Sequence, residues 1–102
     1  MPKKSMDLLT ESMFYVLMAF TKGEMCGIDI ADFIDRRTKG RIRMGPATLY
    51  TILGKFEKEH YIEEVSVEGR KRTYRITALG RNAYHGELIR LKQCVADAEG
   101  GI

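Results

Sequence analysis

The sequence has few of the residues that build metal centres, disulfide scaffolds or membrane spans. Its 102 residues include two cysteines, two histidines and no tryptophan. Cys26 and Cys94 are far apart, without a CxxC motif or a neighbouring histidine, which argues against a zinc site or a disulfide framework and favours a reducing compartment. No apolar run approaches the roughly 18 residues of a membrane span, and no targeting signal is recognisable. We therefore predict a cytoplasmic protein without a metal or cofactor.

Groups of side chains that could form a catalytic site are also absent. His60 and His85 are separated in the sequence, and no serine or cysteine nucleophile stands at a supporting distance from either. No glycine-rich phosphate-binding loop occurs. A chain of 102 residues is too short for two lobes with a cleft between them. These absences predict that the protein is not an enzyme.

The residues that are present suit one small folded domain. Hydrophobic residues make up 44% of the sequence and charged residues 30%, a balance that distinguishes it from disordered chains. A chain of this size buries about two thirds of its unfolded surface, which leaves a thin margin of stability. Small domains with such a margin often gain stability by pairing with a copy of themselves, so size alone favours a dimer.

Two helices are predicted in the first 40 residues. Apolar side chains from Ser5 to Phe20 repeat at close to 3.6 residues. A second amphipathic helix follows Gly27 and ends near Gly40, because glycine favours a helix end. The side chains expected on its buried side are Ile28, Ile30, Ala31, Phe33 and Ile34.

A third helix is predicted to begin at Pro46. Proline suits the first turn of a helix, where its missing N–H leaves no hydrogen bond unmade. Apolar residues then recur at positions i, i+3, i+4 and i+7, which defines one buried face. The residues on that face are Leu49, Ile52, Leu53 and Phe56.

A hairpin and a long helix complete the chain. From Ile62 the apolar period changes to two, and two alternating runs flank Gly69, which predicts a β-hairpin with a basic tip. A last helix starts after Thr77, a suitable N-cap, and extends to about Ala98. Its apolar residues step by four and three, as in a coiled-coil seam, at Tyr84, Leu88, Leu91, Val95 and Ala98.

The order helix, helix, helix, hairpin, long helix is that of a winged helix-turn-helix domain. We predict a mainly α (α+β) fold in which residues 1–77 form the winged helix-turn-helix, with a two-stranded β-wing. Residues 78–102 form a long C-terminal dimerisation helix within the same compact domain. In this arrangement the third helix enters the DNA major groove, and the wing reaches the flanking backbone.

Positive charge is concentrated in two segments near the third helix. The net charge is only +3, yet residues 36–43 contain five basic residues and residues 70–75 contain four, with no acid in either segment. Both segments lie at edges that face a phosphate backbone in this fold. Solvated basic loops are the alternative, because they are common on soluble proteins.

The exposed side of the third helix favours the DNA interpretation. Its first two turns carry short or hydrogen-bonding side chains that suit base edges, and no acid precedes Glu57. Tyr50 has an alternative role as a packing residue with its hydroxyl in water. The residues predicted to contact DNA are Arg43, Ala47, Thr48, Tyr50, Thr51, Lys55, Arg70, Lys71 and Arg72.

Several segments match motifs of one known family over roughly residues 8–95. They are Gly27-Ile28, Gly45-Pro46-Ala47-Thr48-Leu49-Tyr50, Leu53 with Phe56-Glu57, the wing 69–74, and Thr77-Ala78-Leu79-Gly80-Arg81. With these motifs the sequence resembles the PadR-like transcriptional regulators. The resemblance implies a homodimeric winged-helix repressor of the family's smaller branch, which has a single C-terminal helix.

The sequence departs from that family in two ways. His60-Tyr61 stands where relatives usually have Gly-Leu, so the third helix ends without its customary glycine. The chain has no tryptophan, on which drug-binding relatives stack flat aromatic ligands, and this argues against a multidrug sensor. Whether a small-molecule effector releases the protein from DNA is left open.

A self-complementary dimer is expected to form through the last helix and the first. The predicted interface residues are Leu9, Phe14, Tyr84, Leu88, Leu91 and Val95. Such a dimer would place the two third helices about one helical turn of DNA apart, roughly 34 Å, and would require a palindromic operator. The alternative is a winged helix that binds an acidic protein and not DNA.

Overall fold

The first helix begins later than its apolar pattern suggests. The computed structural model describes residues 9–100, and in it α1 spans Glu11–Phe20. Thr10 is the N-cap, because its side-chain oxygen accepts a hydrogen bond from the Met13 N–H at 3.1 Å. Leu9 and Thr10, which the apolar pattern placed inside the helix, therefore precede it. The rest of the predicted first turn, residues 5–8, lies outside the described range.

The remaining elements confirm the winged helix-turn-helix plan. In chain order they are β1 Met25–Cys26, α2 Gly27–Thr38, α3 Pro46–Lys58, β2 Ile62–Glu68, β3 Lys71–Ile76 and α4 Ala78–Glu99. The wing consists of β2 and β3, joined at Gly69. The sequence did not predict β1, because two residues are too few to show a period. It pairs antiparallel with β3, so the described sheet has three strands in the order β1-β3-β2.

One core forms where α1 packs against α2, α3 and the sheet. The predicted buried face of α3 is confirmed, since none of its four residues is more than 6% exposed. Each large apolar side chain that leaves water contributes about 1.5–3 kcal/mol to folding. The largest fully buried side chains are Phe20, Phe56, Leu17, Ile30, Ile34, Ile62 and Val16.

Ile28 is the exception on α2. Its side chain is 82% exposed, so the prediction that it lies on the buried side is wrong. The buried stripe of α2 is formed by Ile30 and Ile34. At 100° per residue, position 28 lies about 200° from Ile30 and faces away from that stripe. The prediction grouped Ile28 with Ile30 because both are apolar, although residues two positions apart lie on opposite sides of a helix.

A left-handed residue, His60, ends α3. Its φ is 65°, in a region that favours glycine. The Tyr61 N–H donates to the Phe56 carbonyl at 2.8 Å, and the His60 N–H donates to the Glu57 carbonyl at 3.0 Å. These are the paired bonds of a Schellman motif. His60 therefore occupies the position that glycine usually holds, with a backbone strain of about 1 kcal/mol.

The start of α4 is fixed against the end of α3 by Thr77 and Gly80. The Thr77 N–H donates to the Tyr61 carbonyl at 2.9 Å, and the Thr77 hydroxyl donates to the His60 carbonyl at 2.6 Å. The same hydroxyl oxygen accepts from the Gly80 N–H at 3.0 Å, which confirms Thr77 as the N-cap. A β-carbon on Gly80 would collide with the Tyr61 carbonyl oxygen and lie 2.8 Å from Ile76 Cγ1. Glycine is therefore required at this crossing.

Beyond its first turns, α4 leaves the body of the domain. Glu87 is buried, and its carboxylate accepts hydrogen bonds from Arg90 at 3.0 and 2.5 Å. These bonds, helped by the backbone N–H of Leu9, lower the pKa of Glu87 despite its burial. Residues 92–99 are all exposed, and the described chain reaches 56 Å along its longest axis. The second half of α4 thus projects into solvent.

Replacing Gly80 by alanine is expected to destabilise the domain by about 1–3 kcal/mol, because the new methyl group meets backbone that cannot rotate away. Gly86→Ala is the matched control in the same helix, since a β-carbon there meets no atom within 4 Å. This control should be neutral or stabilise by up to about 1 kcal/mol. Urea unfolding compares the stabilities of the two variants. Equal stabilities would contradict the close contact between Gly80 and the Tyr61 carbonyl.

Replacing His60 by glycine is expected to stabilise the domain by about 0.5–1 kcal/mol, because glycine adopts the left-handed conformation without steric strain. His60→Ala keeps the β-carbon and the strain, so it should give no such gain. Thermal unfolding monitored by circular dichroism measures both changes. A gain of the same size in the alanine variant would mean that the imidazole, and not the backbone, is unfavourable.

Candidate nucleic-acid interface

The outer face of α3 presents exposed small and polar side chains. Tyr50 is 67% exposed, which favours contact with a partner over a packing role. The Thr51 hydroxyl donates to the Ala47 carbonyl at 3.0 Å, so its oxygen is left to accept hydrogen bonds from outside the helix. All five residues predicted on this helix are exposed, namely Ala47, Thr48, Tyr50, Thr51 and Lys55.

Acids from elsewhere in the chain balance most of the basic segment at residues 36–43. The ion pairs are Arg36–Asp32 at 3.2 Å, Arg41–Glu11 at 3.1 Å and Arg43–Asp35 at 3.5 Å. Arg41 also donates to the Tyr15 hydroxyl at 3.0 Å, which ties the loop before α3 to α1. The Arg43 side chain is 78% exposed, so its pair is weak and its guanidinium can reach a phosphate.

Two of the three predicted wing cations form no ion pair with an acid of the described chain. Arg72 Nε lies 3.5 Å from a Glu64 carboxylate oxygen. Arg70 and Lys71, at the turn of the hairpin, form no ion pair within residues 9–100. All three side chains are exposed. The wing and the segment before α3 thus each keep two basic residues without an ion pair in the described chain, Arg70 and Lys71 in the wing and Arg37 and Lys39 in the segment.

A cleft of about 850 Å³ lies between the first turn of α2, the face of α3 and the wing. Its buried lining residues are Cys26, Leu53 and Tyr74, each at most 6% exposed. Its exposed apolar lining residues are Ile28 and Tyr50. The three predicted wing cations also line it. The fold thus brings an apolar surface and a basic one to the same opening.

Two carboxylates also line the cleft, and groups of the chain itself engage both. Asp29 accepts hydrogen bonds from the Cys26 N–H at 3.2 Å and the Cys26 thiol at 3.3 Å, and these bonds, helped by the nearby charge of Lys71, lower the pKa of Asp29. The pKa of the Arg72 guanidinium is raised by its hydrogen bond to the Tyr74 side chain and further by nearby carboxylates, Glu57 among them. The cleft is lined by three cations and two carboxylates, so positive charge is in excess there.

The residues predicted for a dimer interface fall into two groups. Phe14 is only 8% exposed, and its ring stacks on Tyr84 of the same chain with centroids 5.1 Å apart. Leu9 is partly buried beside the core. Farther along α4, Leu88 and Leu91 are half-buried and Val95 is 54% exposed. The apolar surface left for a partner lies mainly on the projecting half of α4, where Ile89, absent from the predicted seam, is 68% exposed.

The sequence interpretation missed the acids that balance the arginines, as well as Ile28. The pair Asp32–Arg36 could have been read from its i, i+4 spacing. The pairs that join distant segments, such as Glu11–Arg41, leave no local signal. Within residues 9–100, no cluster of histidine, cysteine and acidic residues could hold a metal ion, and none of the helices is both long and apolar enough to cross a membrane.

Comparisons with known proteins agree with this arrangement. A solved transcriptional regulator from Clostridium thermocellum matches 85% of this chain and 90% of its own length, with a TM-score of 0.71 and 27% identity. Bacillus subtilis PadR, solved in complex with operator DNA, shares the fold over 76% of this chain and 46% of its own length, with a TM-score of 0.67 and 24% identity. An uncharacterised protein of Lysinibacillus sphaericus is 34% identical over 79 residues, which are 74% of this chain and 72% of that protein.

The family assignment follows from the sequence profile that matches most of the described chain. Residues 16–86, from the middle of α1 to the first half of α4, match the transcriptional regulator PadR-like family. This range includes α3, the wing and the Thr77–Gly80 crossing. The chain therefore belongs to the PadR-like family of transcriptional regulators.

Proposed function

We propose that the protein is a sequence-specific DNA-binding regulator that acts as a homodimeric repressor on a palindromic operator. The observation that carries this proposal is the exposed polar face of α3 beside a wing whose Arg70 and Lys71 form no ion pair in the described chain. A recognition helix with phosphate-binding cations at its side is what major-groove binding requires. The operator complex of Bacillus subtilis PadR supports the proposal by its shared fold.

Each part of the interface has a chemical role in this proposal. Thr48, Tyr50 and Thr51 offer hydroxyl groups, and Ala47 a methyl group, to base edges in the major groove. Lys55 lies farther along α3, where a long cation reaches a phosphate. The wing cations neutralise phosphates or enter the adjacent minor groove. Arg43 and the wing residues Arg70, Lys71 and Arg72 set affinity, whereas the α3 residues set sequence preference.

A dimer is supported by the projecting half of α4. Its residues 92–99 are exposed in the single chain, although Val95 is apolar. An isolated helical segment of this length is marginal in water, and an apolar stripe on it is stabilised by packing against another helix. A second copy of α4 in a two-fold arrangement provides that packing. The repressor then holds two copies of α3 for two half-sites.

Removing the unpaired wing cations tests the DNA proposal. The double variant Arg70→Ala/Lys71→Ala is expected to bind all DNA sequences more weakly, because the lost contacts are to phosphates. The slope of log affinity against log salt should flatten by about one to two units per bound protomer. Fluorescence anisotropy with a labelled duplex over a salt series measures both. Lys22→Ala/Lys92→Ala removes the same charge from outside the cleft, and it should leave the slope near that of the parent.

The same measurement distinguishes a DNA-binding regulator from a winged helix that binds an acidic protein. No binding of DNA from around the protein's own gene at low salt would contradict the proposal and favour an acidic protein as partner. Binding with an unchanged slope in the wing variant would keep DNA as the partner but remove the wing from the interface.

Placing a charge on the α4 seam tests the dimer. Val95→Asp is expected to convert the dimer to a monomer of about 11.7 kDa without unfolding it, because Val95 is 54% exposed in the single chain. Gln93→Asp adds the same charge two positions away, on another side of the helix, and should leave the dimer intact. Light scattering after gel filtration gives the mass. A monomeric parent protein, or a Val95→Asp variant that remains dimeric, would contradict a dimer interface on this part of α4.

A further inference from the structure

Ile28 is the most exposed large apolar side chain in the described part of the chain. Its side chain is 82% exposed. It lies in the first turn of α2 and is not part of the hydrophobic core. Its neighbour Gly27 lies next to α3, because a β-carbon on Gly27 would make an ordinary van der Waals contact with Leu49 Cδ2 at 3.5 Å. Ile28 is therefore held beside α3, and not on the α3 face that is proposed to enter the major groove.

The surroundings of Ile28 have a definite chemical pattern. It lines the same cleft as the Tyr50 ring, which is 67% exposed. Arg70 and Lys71 line that cleft as well and form no ion pair in the described chain, although Lys71 is near enough to Asp29 to lower the pKa of that carboxyl. The two cleft carboxylates are partly compensated, because Asp29 accepts hydrogen bonds from Cys26 and Glu57 lies near Arg72. An occupant should thus combine an apolar part with a neighbouring negative charge.

The sugar-phosphate backbone of DNA has that combination, because hydrocarbon faces of deoxyribose alternate with phosphates along each strand. We propose that Ile28 is a non-ionic contact to the DNA backbone, which packs on deoxyribose carbons while Arg70 and Lys71 bind the adjacent phosphates. This inference rests on the proposed function. It adds the first turn of α2 to the interface and assigns the cleft to one strand of the duplex.

A sugar contact differs from a phosphate contact in its response to salt. Counterions are released from phosphates when cations bind, so only ionic contacts contribute to the salt dependence of affinity. Removal of an apolar contact to a sugar lowers affinity equally at every salt concentration. It also acts on any sequence, because deoxyribose carries no base information. The contact can therefore be tested on a duplex of arbitrary sequence.

The test compares Ile28→Ala with the parent protein on such a duplex, between about 50 and 200 mM salt. Alanine is a better helix former than isoleucine, so α2 should remain folded, and circular dichroism checks this. Affinity is expected to fall about three- to tenfold at each salt concentration, with an unchanged slope. Leu79→Ala is the matched control, because Leu79 is 52% exposed and does not line the cleft. It should bind like the parent.

A second variant tests the same position in the opposite direction. Ile28→Lys places a cation where a phosphate should lie nearby, so its slope is expected to be steeper than the parent's by about one unit. Parent-like affinity of Ile28→Ala at every salt concentration, or a flattened slope in that variant, would overturn the sugar contact but leave the proposed function standing. A parent protein that binds no duplex at low salt would overturn both.

Discussion

The geometry of the molecule depends on one crowded crossing between the end of α3 and the start of α4. Thr77 binds the carbonyls of His60 and Tyr61, and Gly80 approaches the Tyr61 carbonyl too closely for any side chain. The Thr77 N–H bond to the Tyr61 carbonyl and the close approach of Gly80 join backbone to backbone, so these two contacts have no alternative rotamers. The helix proposed to read DNA and the helix proposed to join two copies are therefore parts of one rigid unit. The separation of two reading helices would then follow from how two α4 helices pack.

The electrostatic surface depends on pairing more than on the number of charges. Nine basic residues lie in two acid-free segments of the sequence, yet the fold places acids of other segments beside several of them. Arg41 is used structurally, because it joins Glu11 and Tyr15 of α1 to the loop that precedes α3. The described cations that form no ion pair in these two segments are Arg37 and Lys39 before α3, and Arg70 and Lys71 at the tip of the wing. The net charge of +3 does not reveal these two positive surfaces.

The elements of the fold were predictable because their signals are local. Periodic apolar residues identified α3 and its buried face, Pro46 marked its start, and Thr77 marked the start of α4. The strand β1 was not predictable, since its two residues form a strand only because β3 lies beside them. The exposure of Ile28 was missed for a different reason, because an apolar side chain was assigned to the core although the helical period places it opposite Ile30. The candidate contact residues on α3 followed from the same local pattern, whereas the cleft needed three segments brought together by the fold.

The ion pairs around α3 affect how the DNA-binding properties of such a protein would change during evolution. Asp35 and Glu64 each form an ion pair with an exposed arginine, and neither lies on α3. A single substitution at either acid would leave its arginine unpaired and raise the positive potential beside the reading helix. The residues that face the bases would be unchanged. General attraction to nucleic acid and preference for a particular sequence can therefore drift independently in descendants of this chain, through different positions.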